Sequence, residues 1–430
     1  MPSSSPPNRR EFLKTSSVAA AGTSLVGSLA AASSFAGTIH NSVDDTLRVG
    51  LIGCGGRGTG AASQALNADK NVKLVAMGDA FADRLETSLK ELRHGFEKKV
   101  DVTPERCFHG FDAYKGVLGA GVDVVILTTP PHFRPMHLQA AVEAGKHIFC
   151  EKPVAVDAGG VRSVLKTAEE AKKKGLNLVS GLCWRYDPAK RATVAKVHDG
   201  AIGDITTIHT TYLTGTLWHH GRKADWSDME YQVRNWLYFN WLSGDHINEQ
   251  HIHSLDKAVW VMNNEPPASA IGVGGRQVRT DEMFGNVYDH FSIVYEYANG
   301  VKVFSSCRQM ANCKDDVSDH VFGTKGTAHL MQDSISGPSP WNFTGKHENM
   351  YQVEHNELFA AIRAGNRIDN SLYMARSTMM AIMGRMAAYT GQKITWDEAI
   401  ASKEDLTPPK YEWSALPVAP VAMPGMTKFA

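Results

Sequence analysis

Leu47-Arg48-Val49-Gly50-Leu51-Ile52-Gly53-Cys54-Gly55-Gly56-Arg57-Gly58 is the stretch on which the fold turns. Its apolar, partly β-branched start predicts a short buried strand. The strand runs straight into Gly53-Cys54-Gly55-Gly56-Arg57-Gly58, which satisfies G-x-G-x-x-G. Residues 59–68 read as an amphipathic helix, and residues 72–77 as a second apolar strand ending at Gly78-Asp79. Such glycines permit a tight turn and let the backbone approach a pyrophosphate at a helix N-terminus, where free N–H groups favour an anion. Asp79 follows Gly58 by 21 residues, placed to accept hydrogen bonds from a ribose diol. The glycine pattern alone is weak. Strand, turn, helix, strand and acid in that order make it a strong signature of dinucleotide binding. A carboxylate there repels a 2′-phosphate, so NAD is favoured over NADP, with Arg57 able to offset part of the repulsion.

The alternation continues outward. Residues 122–127, 147–150 and 177–182 read as strands, with helices over 136–144 and 158–174 between them. That rhythm predicts a parallel sheet covered on both faces, with ligands at the carboxyl ends of its strands. Thr129, Pro130 and His132 follow one such end, Glu151 and Lys152 the next, and Arg185 the last. With Gly53, Gly55, Gly56, Arg57, Gly58 and Asp79 they form the expected cofactor contacts of a Rossmann domain over 45–185.

Beyond residue 186 the pattern changes to long β-like runs over 206–214 and 270–278. A hairpin is predicted around Asn299-Gly300, flanked by 290–297 and 301–308. A further run, 320–331, contains Gly323-Thr324-Lys325-Gly326. The expected fold class is therefore α/β plus α+β: a Rossmann domain, then an open, largely antiparallel sheet over 186–405. Helices at 352–364 and 373–390 would return the chain to the first domain, and the Pro-rich 406–430 would form an extended tail.

Within this half, residues 241–260 read as one helix that places Glu249, His253, Asp256 and Trp260 on one face. A carboxylate one turn from an imidazole can orient it as the general base for an alcohol proton. Lys152 is the matching group to hold the oxygen. Lys152, His253 and Glu249 are thus the expected catalytic set, with Lys152, His253 and Tyr288 facing the substrate. Trp184, Arg185 and the stretch 236–241 are further candidates for a carbohydrate wall, though ordinary core is the commoner role of such aromatics. The spacing of His246, Glu249 and His251 matches no established zinc motif, and no metal is expected.

The bulk numbers point the same way. The formal net charge is zero, which offers no footprint for nucleic acid or an anionic membrane. The six cysteines are scattered without paired spacing and read as buried thiols, with a Cys307–Cys313 bridge left open. Asn8-Arg9-Arg10-Glu11-Phe12-Leu13-Lys14, a modest apolar run to Ala32 and Ser34-Phe35-Ala36 describe a twin-arginine signal peptide over 1–36. That route exports folded proteins, so a periplasmic or other extracytoplasmic location and a cofactor loaded before export are expected.

Taken together, the motifs resemble the glucose–fructose oxidoreductase / inositol dehydrogenase (Gfo/Idh/MocA) family, as an exported member. They are the glycine turn, Thr129-Pro130, and Ala144-Gly145-Lys146-His147-Ile148-Phe149-Cys150-Glu151-Lys152-Pro153. Gly200-Ala201-Ile202-Gly203-Asp204, Glu249-x-x-x-His253-x-x-Asp256 and Gly323-x-x-Gly326 complete the set. The resemblance implies Lys152 beside the nicotinamide and the substrate hydroxyl, His253 as acid/base, and a second sheet that supports homo-oligomer contacts. The family more often has Asp where Glu249 stands, and a His in the helix after Thr-Pro where Arg134 stands here. The activity implied is hydride transfer between NAD and a ring hydroxyl of a sugar, sugar derivative or cyclitol. Two rival readings are a redox-assisted glycoside hydrolase or lyase and a non-catalytic sugar-binding protein. Retention of Lys152 speaks against the first, and retention of both Lys152 and His253 against the second.

Overall fold

The computed structural model describes residues 45–429, so the export signal expected at 1–36 lies outside the described residues. Six parallel strands form the first sheet: β1 Leu47–Ile52, β2 Val72–Asp79, β3 Cys107–His109, β4 Val124–Leu127, β5 His147–Cys150 and β6 Leu178–Ser180. Their order is β3-β2-β1-β4-β5-β6. Strands β1, β4 and β5 are almost wholly buried, because helices cover both faces and leave no solvated side to carry polar residues. The order reverses between β1 and β4. Their carboxyl ends diverge there, at Gly53 and Thr128, and open a crevice.

The second sheet has nine strands: β7 Ile205–Thr214, β8 Ser269–Gly275, β9 His290–Glu296, β10 Lys302–Gln309, β11 Asp316–Gly323, β12 Thr327–His329, β13 Ser334–Ser336, β14 Trp341–Asn342 and β15 Ile394–Thr395. Only β7 with β10 pair in parallel; the other pairs are antiparallel. The hairpin turn at Asn299-Gly300 joins β9 to β10, and Gly323–Gly326 turns β11 into β12. One face of this sheet packs on the helix Ser371–Thr390, buried from Met374 onward except at Arg376. The opposite face leaves Ile271, Val273, Phe304 and Phe322 exposed.

Two later helices bind the halves together. Leu358, Phe359 and Ile362 of the helix Met350–Ala364 join the core cluster of β1 and β2. Thr378 Oγ1, on the helix Ser371–Thr390, accepts a hydrogen bond from the Val154 amide at 3.2 Å. Residues 403–429 contain no helix or strand. Among the described residues no helix is long and apolar enough to cross a membrane.

One expected element is absent. The stretch 241–260 is not a single helix but three pieces, Asn240–Ser243, His246–Glu249 and Ile252–Val261. Gly244 and Asp245 both take positive φ, 73° and 70°, which ends the first piece. The fully buried Asp245 carboxylate explains the second: it caps the His246 amide at 2.6 Å and accepts from the Tyr288 amide and Tyr389 Oη. A tertiary knot fixes the backbone where local periodicity favoured a helix.

Candidate functional site

The glycine turn is built for close approach. Gly53 has φ 98°, a conformation that a side chain would strain. A Cβ on Gly58 would collide with the Gly53 carbonyl, whereas Cβ atoms at Gly55 and Gly56 would meet nothing within 4 Å. The first pair packs tightly; the second faces open space. The helix Gly56–Ala68 begins there with no side-chain cap and no acid in its first turn, leaving its N–H groups free for an anion. Thr128 Oγ1 locks the turn to β4 by donating to the Gly53 carbonyl at 2.7 Å.

A cleft of about 650 Å³ runs from this turn past Asp79 and along Thr129 and Pro130. Asp79 receives hydrogen bonds from the amides of Cys54 (2.6 Å) and Phe81 (2.9 Å), which fixes its carboxylate at the end of β2. Burial pushes that carboxyl above its ordinary value despite the two amide donors. The cleft fits a dinucleotide: uncapped helix amides for phosphate, a fixed acid for ribose and aromatic rings (Phe81, Phe111) for a base.

Arg57 was expected to offset a 2′-phosphate beside Asp79. It lines the cleft, but its guanidinium pairs with Glu151 and with Glu354 (2.6 Å), and lies 4.8 Å from the Tyr351 ring centre. Two buried carboxylates hold it against the glycine turn. Burial works to raise the Glu151 carboxyl, but Arg57, Lys152 and Arg134 outweigh it and keep it ionised. Burial, with Glu151 adding, drives the Glu354 carboxyl well up against the pull of Arg57. The cation near Asp79 is instead Arg84, which sequence reasoning passed over.

Glu151 is buried and touches protein rather than open cleft: its second oxygen accepts the Lys152 amide at 2.9 Å. The Lys152–Pro153 peptide is cis. Lys152 Nζ donates to the Glu249 carbonyl at 2.6 Å and to its carboxylate at 3.0 Å. The amine thus reaches from the first sheet to the second half of the chain. His253 lies within the field of Lys152; burial, then Lys152, Lys257 and Arg57 push its imidazole well below its ordinary value. It is neutral at physiological pH, and its Nδ1 has no hydrogen-bond partner. Lys152 and Glu249 are therefore brought together in spite of the broken helix, with His253 within electrostatic reach of the amine.

Other expected residues lie elsewhere. Arg185 makes no part of the cleft wall; it forms a buried pair with Asp256 at 2.8 Å between the rings of Tyr373 and Trp260. A guanidinium removed from water needs that carboxylate, and this consumes both residues. Tyr288 is 1% exposed, packed on Phe291 and Tyr389, with its hydroxyl donating to the Ala422 carbonyl. It belongs to the core, not to a substrate wall. His132 bonds Tyr411 Oη at 2.8 Å and stands edge-on to Trp241, outside the cleft lining. His137, not Arg134, stands beside the Thr-Pro segment: its Nδ1 meets Thr129 Oγ1 at 3.1 Å and it lines the cleft. Arg134 instead turns inward to the Pro153 carbonyl. Trp218, His220 and Trp236 wall the cleft from the second half, and nothing local in sequence marks the first two. Cys307 and Cys313 are free thiols, and among the described residues no group of three metal-ligating side chains converges.

Comparison with known proteins gives two family matches. Residues 47–178 match "Oxidoreductase family, NAD-binding Rossmann fold", and residues 191–329 match the GFO/IDH/MocA C-terminal domain. Inositol 2-dehydrogenase of Rhizobium meliloti is 28% identical over 65% of this chain and 74% of its own length. The 2,7-anhydro-N-acetylneuraminate hydratase of Escherichia coli is 26% identical over 55% of this chain and 59% of its own length. Aldose-aldose oxidoreductase from Caulobacter crescentus, solved with glycerol, shares the fold with a TM-score of 0.62 at 21% identity, covering 82% of this chain and 100% of that one.

Proposed function

Because the chain belongs to the GFO/IDH/MocA family of NAD-binding oxidoreductases, we propose that it oxidises, reversibly, a ring hydroxyl of a sugar, sugar derivative or cyclitol. One observation carries this reading. The Arg57–Glu151 pair couples the phosphate-binding turn to the Glu151-Lys152 segment, and Lys152 reaches Glu249 at 3.0 Å beside a neutral His253. Bound NAD supplies the hydride acceptor. Asp79 and the glycine turn hold its ribose and phosphates, and His253 accepts the hydroxyl proton. Lys152 donates to the oxygen as negative charge develops, and Glu249 aims the amine. Export of the folded enzyme by the twin-arginine route, with NAD loaded beforehand and retained, and assembly through the exposed face of the second sheet complete the proposal.

The test is mass spectrometry of the gently denatured protein, followed by a sugar and cyclitol panel with NAD. Reduced nicotinamide formed in step with a keto product supports the reading; a protein that binds neither dinucleotide ends it. The hydratase among the relatives favours one second reading, a redox-assisted lyase or hydrolase that reoxidises its cofactor within each cycle. Substrate cleavage or hydration without net NADH would identify it.

A further inference from the structure

Residues 411–416 cross from one wall of the dinucleotide cleft to the other. On the first-sheet side, Tyr411 Oη and His132 Nε2 are 2.8 Å apart. Trp413 lies against Phe111, centroids 4.3 Å apart, and stacks on Phe81 at 5.2 Å. Phe81 and Phe111 are themselves cleft-lining rings. Within one further residue the chain engages the opposite side. The Ser414 carbonyl accepts from the Met229 amide, and Leu416 exchanges two hydrogen bonds with the same helix, its carbonyl with Gln232 Nε2 and its amide with Asp228. That helix, Asp228–Arg234, supplies Val233 to the cleft, and Trp236 follows just after it.

Both ends of the crossing are fastened. Upstream, the Leu406 amide donates to Asp157; downstream, the Ala422 carbonyl accepts from Tyr288 and the Gly425 amide donates to Thr390. The cleft walls have one direct link of their own here, through Arg234, whose guanidinium bonds Asp83 with two nitrogens and lies 3.9 Å from the Phe81 ring centre. Arg234 pairs with Asp83, whose side chain is 64% exposed, and Arg84 donates to the Arg234 carbonyl at 3.2 Å. With one partner open to water, that ion pair is partly screened, and the stacked guanidinium ties Phe81 alone, not Phe111. An indole fixed across two rings, with backbone hydrogen bonds on each flank, ties both.

Resting on the reading of the cleft as the NAD site, we infer that residues 411–416 are a clasp that backs the cleft-lining rings Phe81 and Phe111, ties the two walls and makes the dinucleotide slow to leave. For bound NAD to escape, Phe81 and Phe111 must part from Trp236 and Val233, and that opening requires Trp413 to leave its stack. The clasp therefore acts on the dissociation rate, where most differences in affinity between related complexes arise. It also gives an exported enzyme a physical means of keeping a cofactor that its new compartment does not supply.

The experiment compares the full chain, Trp413→Ala, and a chain ending at Pro409, which keeps the Leu406–Asp157 tie. Each protein is loaded with NADH, and the rate of nucleotide loss is followed by fluorescence after mixing with excess NAD; nucleotide content after prolonged dialysis is read by mass spectrometry. The full chain should retain its nucleotide, and both variants should release it about tenfold faster or more. Equal rates in the full chain and Trp413→Ala overturn the clasp and leave the dinucleotide site standing. A full chain that takes up no NADH overturns both. Should the shortened chain fail to fold, the point variant alone decides.

Discussion

The dinucleotide cleft and the proposed reacting group, whose Lys152 and Glu249 lie outside the cleft lining, are built in different ways. The phosphate and ribose end comes from one continuous stretch, Gly53 to Asp79, in which strand, turn, helix and strand fix one another. The proposed reacting group pairs Lys152, after β5, with Glu249 at the end of a four-residue helix, and draws on His253 in the next helix. The first is held by backbone geometry, the second by an ion pair between distant residues. Substitutions should therefore fail differently at each: backbone changes should abolish binding, and side-chain changes should abolish turnover.

The largest effect is expected at the reacting group. Lys152→Met and His253→Asn should each lower kcat by roughly 10²–10⁴-fold, the usual worth of a positioned acid–base group. Dinucleotide affinity, measured by titration, should stay within a few-fold of the parent, since neither side chain lines the described cleft. Loss of binding in step with turnover would mean that the two regions are not separable. Gly58→Ala probes the cleft. Its methyl group must displace the Gly53 carbonyl, so NAD binding should vanish and stability should drop by about 1–3 kcal/mol, the usual cost of overpacking. Calorimetric titration and thermal unfolding check the two halves of that statement.

The same contrast explains what the sequence makes legible. The glycine turn and Asp79 are readable because their environment is set within one short stretch of chain. Local periodicity also suffices for the Asn299-Gly300 hairpin and for the helix Ser371–Thr390. It fails at Asp245, whose buried carboxylate collects donors from Tyr288 and Tyr389, more than forty and one hundred residues on, and interrupts a helix that the spacing favours. Arg57, which lines the cleft, and Arg185 and Tyr288, which do not, all read as ligand contacts from sequence for a related reason. Each is a residue type suited to a site, and only the tertiary partners (Glu354, Asp256 and the Ala422 carbonyl) reveal that its polar group is already satisfied. Trp218 and His220 lie in a segment with no regular structure, so no periodicity could have pointed them at the cleft.

A pH dependence follows from the histidines on and around the cleft. Burial lowers His132 to about 4 and His137 to about 3, and His253 is also driven well down. All three fold as neutral rings, while the unfolded chain takes up protons below the ordinary 6.5. Stability is thus fully present above about pH 6.5 and is lost as pH falls toward the folded values, with each group contributing about 1.4 kcal/mol per pH unit in that window. Thermal unfolding from pH 7 to pH 4 should show this decline, and His137→Gln should make it shallower. An identical slope in the variant would mean that His137 is not held neutral.

The smallest effect is expected at Tyr288, and it is informative because the sequence alone puts a substrate contact there. Its hydroxyl has a partner, the Ala422 carbonyl at 2.8 Å, and its ring sits 4.6 Å from that of Tyr389 inside the second core. Tyr288→Phe keeps the ring and removes one hydrogen bond, so stability should fall by about 0.5–1.5 kcal/mol. The KM for the oxidised substrate should not move, because the ring is buried in the core and the hydroxyl is already taken by the Ala422 carbonyl. A rise in KM with unchanged stability would instead place the hydroxyl at the substrate. That result would extend the reacting group through what is otherwise the packed interior of the second sheet.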